Sequence, residues 1–227
     1  MYYLLIAVIA GPVLISLFVR GRFQSVYDAA RQVKGNADLT GAGVARQILE
    51  AAGIRDVEIV EHWGFIPDFY DPARKRLMLS RPHFRGSHAA AYGIAAHEAG
   101  HVLQDRANFA PLKMRITAIR MSQYLSPFIF LIPVVAILGR FTSVKMALLG
   151  MFLAWGALLA YNLSTVPVEF DSTERSKEIM ARLKLFRNSE QRDATYRMMA
   201  TAPLMYVSGF LNTLRWLLAY ILPGNRG

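Results

Sequence analysis

Three long stretches of this chain carry no charge, and they constrain its fold more than any other feature. Residues 1–19 are uncharged and end at Arg20 and Arg22, residues 121–139 end at Arg140, and residues 146–168 form a third run. A helix needs about 20 apolar residues to cross a bilayer, so each run is expected to span one. Pro127 and Pro133 should kink the second run, which membrane helices tolerate when neighbours satisfy the freed carbonyls. A fourth stretch, within 204–222, is apolar but holds Arg215 beside Trp216 and Tyr220. It reads either as a poor spanning helix or as an amphipathic helix lying among headgroups. Residues 1–19 lack a basic leader, so they read as an uncleaved anchor rather than a signal peptide.

Charge sets the expected orientation. The chain has 26 Lys and Arg against 16 Asp and Glu, a net charge of +10, with 54% hydrophobic residues. Fifteen of the basic residues lie between Arg20 and Arg120, and seven more between Ser164 and Pro203. Both polar segments therefore belong on one side, and the positive-inside rule makes it the cytoplasmic side of a multi-pass protein in the cell's inner (plasma) membrane. The basic excess then reports attraction to an anionic lipid bilayer. No strand interleaves basic and stacking aromatic residues, so nucleic acid is not an expected partner. Cysteine is absent, which excludes disulfide scaffolds, Cys-based zinc fingers, iron–sulfur sites and thiol nucleophiles. A metal here would have to be held by His, Asp or Glu.

Five segments follow: an N-terminal membrane helix (1–19), a polar segment (20–120), a membrane hairpin (121–163), a helical cytoplasmic segment (164–203) and the doubtful apolar stretch (204–222). Residues 24–34 read as linker. Thr40 can cap a helix running through Val44, Ile48 and Leu49, stopped by Gly53. Residues 56–61 alternate polar and apolar and read as a strand; 67–72 read as a loop and 75–80 as a second strand. Ser87 can cap a helix running towards Ala107. The order is that of a small α+β unit.

The chemistry sits on that last helix, in Ala96-His97-Glu98-Ala99-Gly100-His101. Histidines at i and i+4 share one helical face, so both imidazoles can reach one ion. Glu98 is rotated about 100° from His97 and can lean over an open coordination position. Zn²⁺ held there lowers the pKa of a water towards ~7, and the glutamate takes its proton as the water attacks a carbonyl. Two such histidines can equally be satisfied core residues; the helical context and capping residue favour the metal. Small residues Ala95, Ala96, Ala99 and Gly100 let other elements approach closely. The expected fold is thus mainly α and integral to the membrane, with three to four membrane helices around a small α+β zincin-like catalytic unit.

Zinc needs a third protein ligand. The metzincin spacing would put a histidine at 107, where the chain has Ala107. His88 lies over two turns before His97, too far along the axis, whereas His62 and His83 sit in loops near enough to offer a donor. The best candidate is Glu169, the first acid after roughly sixty mostly apolar residues, delivered by a second helix. The competing reading is that Glu169, Asp171 and Glu174 only complement a helix N-terminus. Asp105 continues the histidine stripe by one turn and can accept an imidazole N–H, or be a solvated acid.

Thr40-Gly-Ala-Gly-Val-Ala-Arg46, Tyr70-Asp-Pro72 with Leu79-Ser80, Ala95 to His101 with Gln104, and Val166-Pro-Val-Glu-Phe-Asp171 together resemble the YugP-like bacterial neutral zinc metallopeptidases. The resemblance runs over almost the whole chain. It implies a membrane zinc peptidase with His97, His101 and Glu169 as ligands and Glu98 as catalytic carboxylate. More distantly the chain looks like the HtpX and CAAX-processing membrane metalloproteases, which place an acid four residues after the downstream glutamate. Position 173 is Thr here, leaving Asp171 or Glu174 to replace that acid. Arg175 is a candidate stabiliser of the oxyanion, with a solvated surface role as the alternative.

The expected activity is hydrolysis of peptide bonds in a polypeptide or membrane-protein substrate at the cytoplasmic membrane surface. The strand Arg76, Leu77, Met78, Leu79 is expected to be the edge on which an extended substrate adds as a further strand. Two other readings compete. One is an intramembrane protease, against which stand His83, Arg85, Asp105 and Arg106 flanking the motif. The other is a non-enzymatic membrane scaffold with a structural metal, which would need a fourth protein ligand.

Overall fold

The apolar N-terminal run does not end where its charges begin. The computed structural model describes residues 2–63, 67–117, 139 and 143–221. Its first element, α1, is one helix over Tyr2–Gln32. Residues 24–34 are therefore mostly helix, not linker. They contain no breaker before Gly35, and Gln24 donates to Asp28 one turn on, at 3.0 Å. Ala30 is buried from this half of α1, with Phe23, Val26 and Tyr27 packed beside it against Ala89, Ala90, Ala194 and Met198.

The same continuity recurs at the other end of the chain. Helix α5 runs unbroken over Val144–Leu183 with Pro167 inside it, and α6 over Ser189–Ile221 with Pro203 inside it. Among the described residues no helix is long and apolar enough to cross a membrane. This overturns the expected integral membrane fold with three to four spans. The physical reason lies in the sequence of each helix. The apolar part of α1 continues into Arg20, Arg22, Asp28 and Arg31, and that of α5 into Glu169, Asp171, Glu174 and Arg175. The run at 121–139, with Pro127 and Pro133, lies outside the described residues except for position 139.

Between these helices the chain builds a small α/β unit. Thr40 caps α2 (Gly41–Ala51) as expected, its hydroxyl accepting from Gly43 N–H at 3.2 Å. Gly53, at φ +70°, reverses the chain after the helix, a conformation costly for any other residue. Strands β1 (Glu58–His62), β2 (Phe69–Asp71) and β3 (Arg76–Ser80) form one sheet in the order β1-β3-β2. β1 lies parallel to β3, Glu58 opposite Arg76, and β2 lies antiparallel to it, Phe69 opposite Met78. β2 falls inside the segment 67–72 that reads as a loop.

This topology corrects one expectation. β3 is the middle strand, and both its hydrogen-bonding edges are taken by its neighbours. Arg76, Leu77 and Met78 are thus paired on both sides, and Leu79 is paired with Glu61 of β1, so β3 is not an edge strand for an extended substrate. Leu77 and Leu79 instead point into the core with Val44, Ile48 and Leu49 of α2.

α3 (Arg81–Arg85), with Pro82 in its first turn, leads into α4 (Ala89–Arg106). The cap of α4 is His88, one residue beyond Ser87: its Nδ1 accepts from Ala91 N–H at 3.1 Å. α4 is the central element, buried from Ala89 to Gln104 on nearly every face and touching α1, α2, the sheet, α5 and α6. Its alanines and glycines permit this. A Cβ on Gly100 would lie 2.3 Å from the Ser172 carbonyl oxygen of α5. Two serines lock the crossing: Ser172 Oγ donates to His97 O and Ser176 Oγ to Ala96 O, each at 2.6 Å.

Candidate active site

That close crossing brings Glu169 of α5 onto the histidine stripe of α4. The His97 and His101 rings stand edge to face, 5.0 Å apart, and both are buried. His97 Nε2 is 2.9 Å from Glu169 Oε2, and His101 Nε2 is 3.7 Å from Glu169 Oε1. Glu169 is wholly buried. A tetrahedral ion with bonds of ~2.0–2.1 Å holds its donors roughly 3.3 Å apart, between these two separations. Oε1 accepts no hydrogen bond among the described residues, although it is buried. That oxygen faces His101 Nε2 and the Arg115 guanidinium, and a buried carboxylate set by its two oxygens against two imidazole nitrogens fits a divalent cation.

The outer nitrogens of both rings are spoken for. His101 Nδ1 faces Gln104 Oε1 at 2.9 Å, while the amide nitrogen of Gln104 donates to Val168 O at 2.7 Å and to Asp171 Oδ2 at 2.8 Å. The glutamine oxygen must therefore accept, and His101 Nδ1 carries the hydrogen. His97 Nδ1 lies 3.1 Å from Thr173 Oγ1, whose own hydrogen is directed to Met199 O at 3.4 Å, so again the imidazole donates. With each Nδ1 engaged, both rings turn Nε2 towards Glu169, the nitrogen a metal would take, and it is from Nε2 that His97 hydrogen-bonds Glu169 Oε2. Thr173, four residues after Glu169, thus supplies the acceptor for His97 Nδ1 with a hydroxyl.

Electrostatics agree with this arrangement. Burial pushes His101 down to about 4 despite the Glu169 charge, which keeps its ring neutral. Burial would raise Glu169, but the His97 hydrogen bond and the His97 and Arg115 charges hold it down at about 2. Glu98 behaves oppositely: burial raises its carboxyl to about 8, against the His97 charge and with Glu169 and Asp68 adding to it. Donor atoms of His97, Glu98 and His101 also lie within 4.8 Å of one another. The two glutamates are distinguished by outlook. Glu169 is sealed against both imidazoles, whereas Glu98 opens with His97 onto a cavity of about 490 Å³.

The cavity is walled by α1 (Phe23, Tyr27), by Asp68 and His83, by Ile94 of α4, and by Met198, Met199 and Tyr206 of α6. Asp68, His83 and Tyr27 form a chain, with His83 Nδ1 2.6 Å from Asp68 Oδ2 and His83 Nε2 2.9 Å from the Tyr27 hydroxyl. His83 thus faces the site without joining the ligand cluster, and His62 sits opposite Ser80 at the end of β1. Asp105 accepts from the Tyr70 hydroxyl at 2.9 Å rather than from an imidazole. Asp171 supports Gln104 and pairs with Arg175 Nε at 2.6 Å. Arg175 lies over the Phe109 ring in a separate recess with Leu103 and Arg106, not on the cavity.

One buried cation was not anticipated. Arg115, from the helical segment 110–117, places Nη1 2.6 Å from Glu169 Oε1, an ion pair out of line for a hydrogen bond. Its Nη2 donates to the Tyr206 hydroxyl at 3.2 Å. Neither residue carries a local signal: Arg115 is one basic residue among 26, and Tyr206 one tyrosine among 10.

Residues 2–224 match the family described as "Putative neutral zinc metallopeptidase". The chain belongs to that family. It is similar to the "Putative membrane protease YugP" of Bacillus subtilis (strain 168), 30% identical over 212 residues that cover 92% of this chain and 91% of the relative. No solved structure matches. Zinc is the metal the family implies, and the His97, His101 and Glu169 donors fit it.

Proposed function

We propose that this protein is a zinc-dependent endopeptidase that cleaves polypeptides or membrane-associated proteins at a lipid surface. His97, His101 and Glu169 would hold the ion, which when bound supplies a Lewis acid for the peptide carbonyl and makes water acidic enough to deprotonate near neutral pH. Glu98 receives the proton of the attacking water at a carboxylate oxygen and passes it to the departing amine. Its burial favours this task, because a carboxyl raised towards neutrality both takes and returns a proton readily. Gln104 and Thr173 keep the hydrogens of the imidazoles on Nδ1.

The observation that carries the reading is the meeting of α4 and α5, which sets Glu169 against two Nε2 atoms while Glu98, next to His97 in the chain, faces the cavity with it. The lipid surface has two supports. The Bacillus relative is named a membrane protease, and α1 exposes Leu14, Leu17 and Phe18 just before Arg20 and Arg22.

The test is metal content and peptidase activity of the purified protein beside three variants. His97→Ala and Glu169→Ala should lose zinc. Glu98→Gln should keep one zinc per chain and cleave nothing. Proteolysis surviving in Glu98→Gln, or full zinc retention in Glu169→Ala, would overturn the assignment. Sedimentation with anionic vesicles tests the surface: protein left wholly in the supernatant removes that part.

A further inference from the structure

The proton transfer assigned to Glu98 leaves two groups at the site unused. Arg115 and Tyr206 lie 91 residues apart in the chain and meet beside Glu169. The guanidinium carbon sits 5.2 Å from the Tyr206 ring centroid, and Nη2 donates to the phenol oxygen. That oxygen is therefore an acceptor towards Arg115. Its own hydrogen has no acceptor among the described residues. Tyr206 also lines the cavity onto which His97 and Glu98 open. A partly buried hydroxyl with its hydrogen unspent, on a residue that walls a substrate-sized cavity beside a fixed cation, is a donor free to meet an acceptor there.

We propose that Tyr206, oriented by Arg115, donates its hydroxyl hydrogen bond to the carbonyl oxygen of the scissile peptide as negative charge builds there. The inference rests on the peptidase reading above. No covalent bond is made or broken by Tyr206: its proton stays on the phenol, and the hydrogen bond shortens as the carbonyl oxygen gains charge. Arg115 is a positioning residue. One end of its planar fork is anchored by Glu169 while the other holds the phenol oxygen, a span that a lysine ammonium cannot reproduce. Its charge draws electron density from the phenol oxygen and makes Tyr206 a stronger donor. Arg175, expected on sequence for this role, is paired with Asp171 in another recess.

The experiment uses the zinc-loaded full chain as wild type, Tyr206→Phe and Arg115→Lys. It measures zinc content, kcat and KM on a fluorogenic peptide, and the Kd of a phosphonamidate peptide, whose tetrahedral oxygens mimic the charged carbonyl. Tyr206→Phe should keep zinc and hold KM within about threefold, lose roughly 100-fold or more in kcat, and weaken the phosphonamidate by a similar factor. Arg115→Lys should shift kcat and phosphonamidate binding in the same direction. A 3-fluorotyrosine at 206 keeps the shape and strengthens the donor, so it should tighten the phosphonamidate. A Tyr206→Phe enzyme within threefold of wild-type kcat, a loss confined to KM or zinc, or fluorotyrosine without effect would each overturn the proposal and leave the peptidase reading standing. Wild type that binds zinc but cleaves no peptide would end both.

Discussion

Adding one methyl group at Gly100 tests whether the α4–α5 crossing is what assembles the site. In Gly100→Ala the new Cβ would lie 2.3 Å from Ser172 O, 2.4 Å from Ser172 Oγ and 2.5 Å from Ser176 Oγ. Carbon and oxygen settle at roughly 3.3 Å, so the helices must part by about 1 Å. Two effects oppose each other. Alanine is the better helix former by about 1 kcal/mol. Against that, overpacking costs about 1–3 kcal/mol, and stretching the two Ser-to-carbonyl bonds costs ~1 kcal/mol apiece. The net is a loss of roughly 2–4 kcal/mol. At about 2–4 °C per kcal/mol for a chain of this size, the melting temperature should fall by some 4–16 °C.

The functional consequence is larger than the stability cost. Glu169 rides on α5, and a 1 Å displacement is a large fraction of its 2.9 and 3.7 Å separations from the two Nε2 atoms. Zinc affinity, read by competition with a chromophoric chelator, should drop by at least tenfold. Gly93→Ala is the milder comparison, because its Cβ would meet the Thr195 backbone oxygen at 3.1 Å and Met198 at 3.2 Å, so that α4 and α6 need give only a few tenths of an ångström and α5 is untouched. Its melting temperature and zinc affinity should stay near wild type. Equal zinc affinity in Gly100→Ala and wild type would refute the view that this contact sets the ligand geometry.

Three further outcomes follow from single contacts. Thr173→Val and Gln104→Leu each remove the acceptor of an imidazole Nδ1–H and should weaken zinc by about 10–100-fold in the same competition assay. Ile48→Ala, at a fully buried core position, should cost about 2–5 kcal/mol in chemical denaturation and leave zinc stoichiometry unchanged. Burial would raise the Asp68 carboxyl, but the His83 hydrogen bond and charge and the Ser80 contacts hold it below its ordinary value. Its stabilisation is therefore present above the unfolded pKa of about 3.9 and is lost as pH falls through the folded value. Asp68→Asn should lower stability near neutral pH and flatten the decline below about pH 4 in a melting-temperature profile.

What the sequence made legible was whatever is encoded locally. Two histidines one turn apart announce a shared face by spacing alone, and Thr40 announces a helix start by its hydroxyl. Glu169 stood out because it is the first acid after a long apolar stretch. The longer-range parts had no such mark. β2 is three residues inside a turn-rich segment, and its pairing with β3 is decided by tertiary contact. The polar residues of 24–34 suggested a linker, yet polarity breaks no helix, and the apolar side of that stretch is covered by α4 and α6.

The apolar runs were the strongest signal and the most misleading. Hydropathy records that side chains must leave water, not what they leave it for, and here α1 and α5 carry the first and third runs on into charged residues, Glu169 of the site among those of α5. The partners of the histidines show a related ambiguity. An Nδ1–H needs an acceptor, and any oxygen held at about 3 Å suffices. Looking for an acid near 173 passes over Thr173 itself, and looking for an arginine close to Glu169 in sequence finds Arg175 rather than Arg115. Metal-binding residues are restricted to a few side-chain types and so can be read from a string. The groups that orient them are restricted only in position, and position comes from the crossing of α4 and α5 that Gly100 permits.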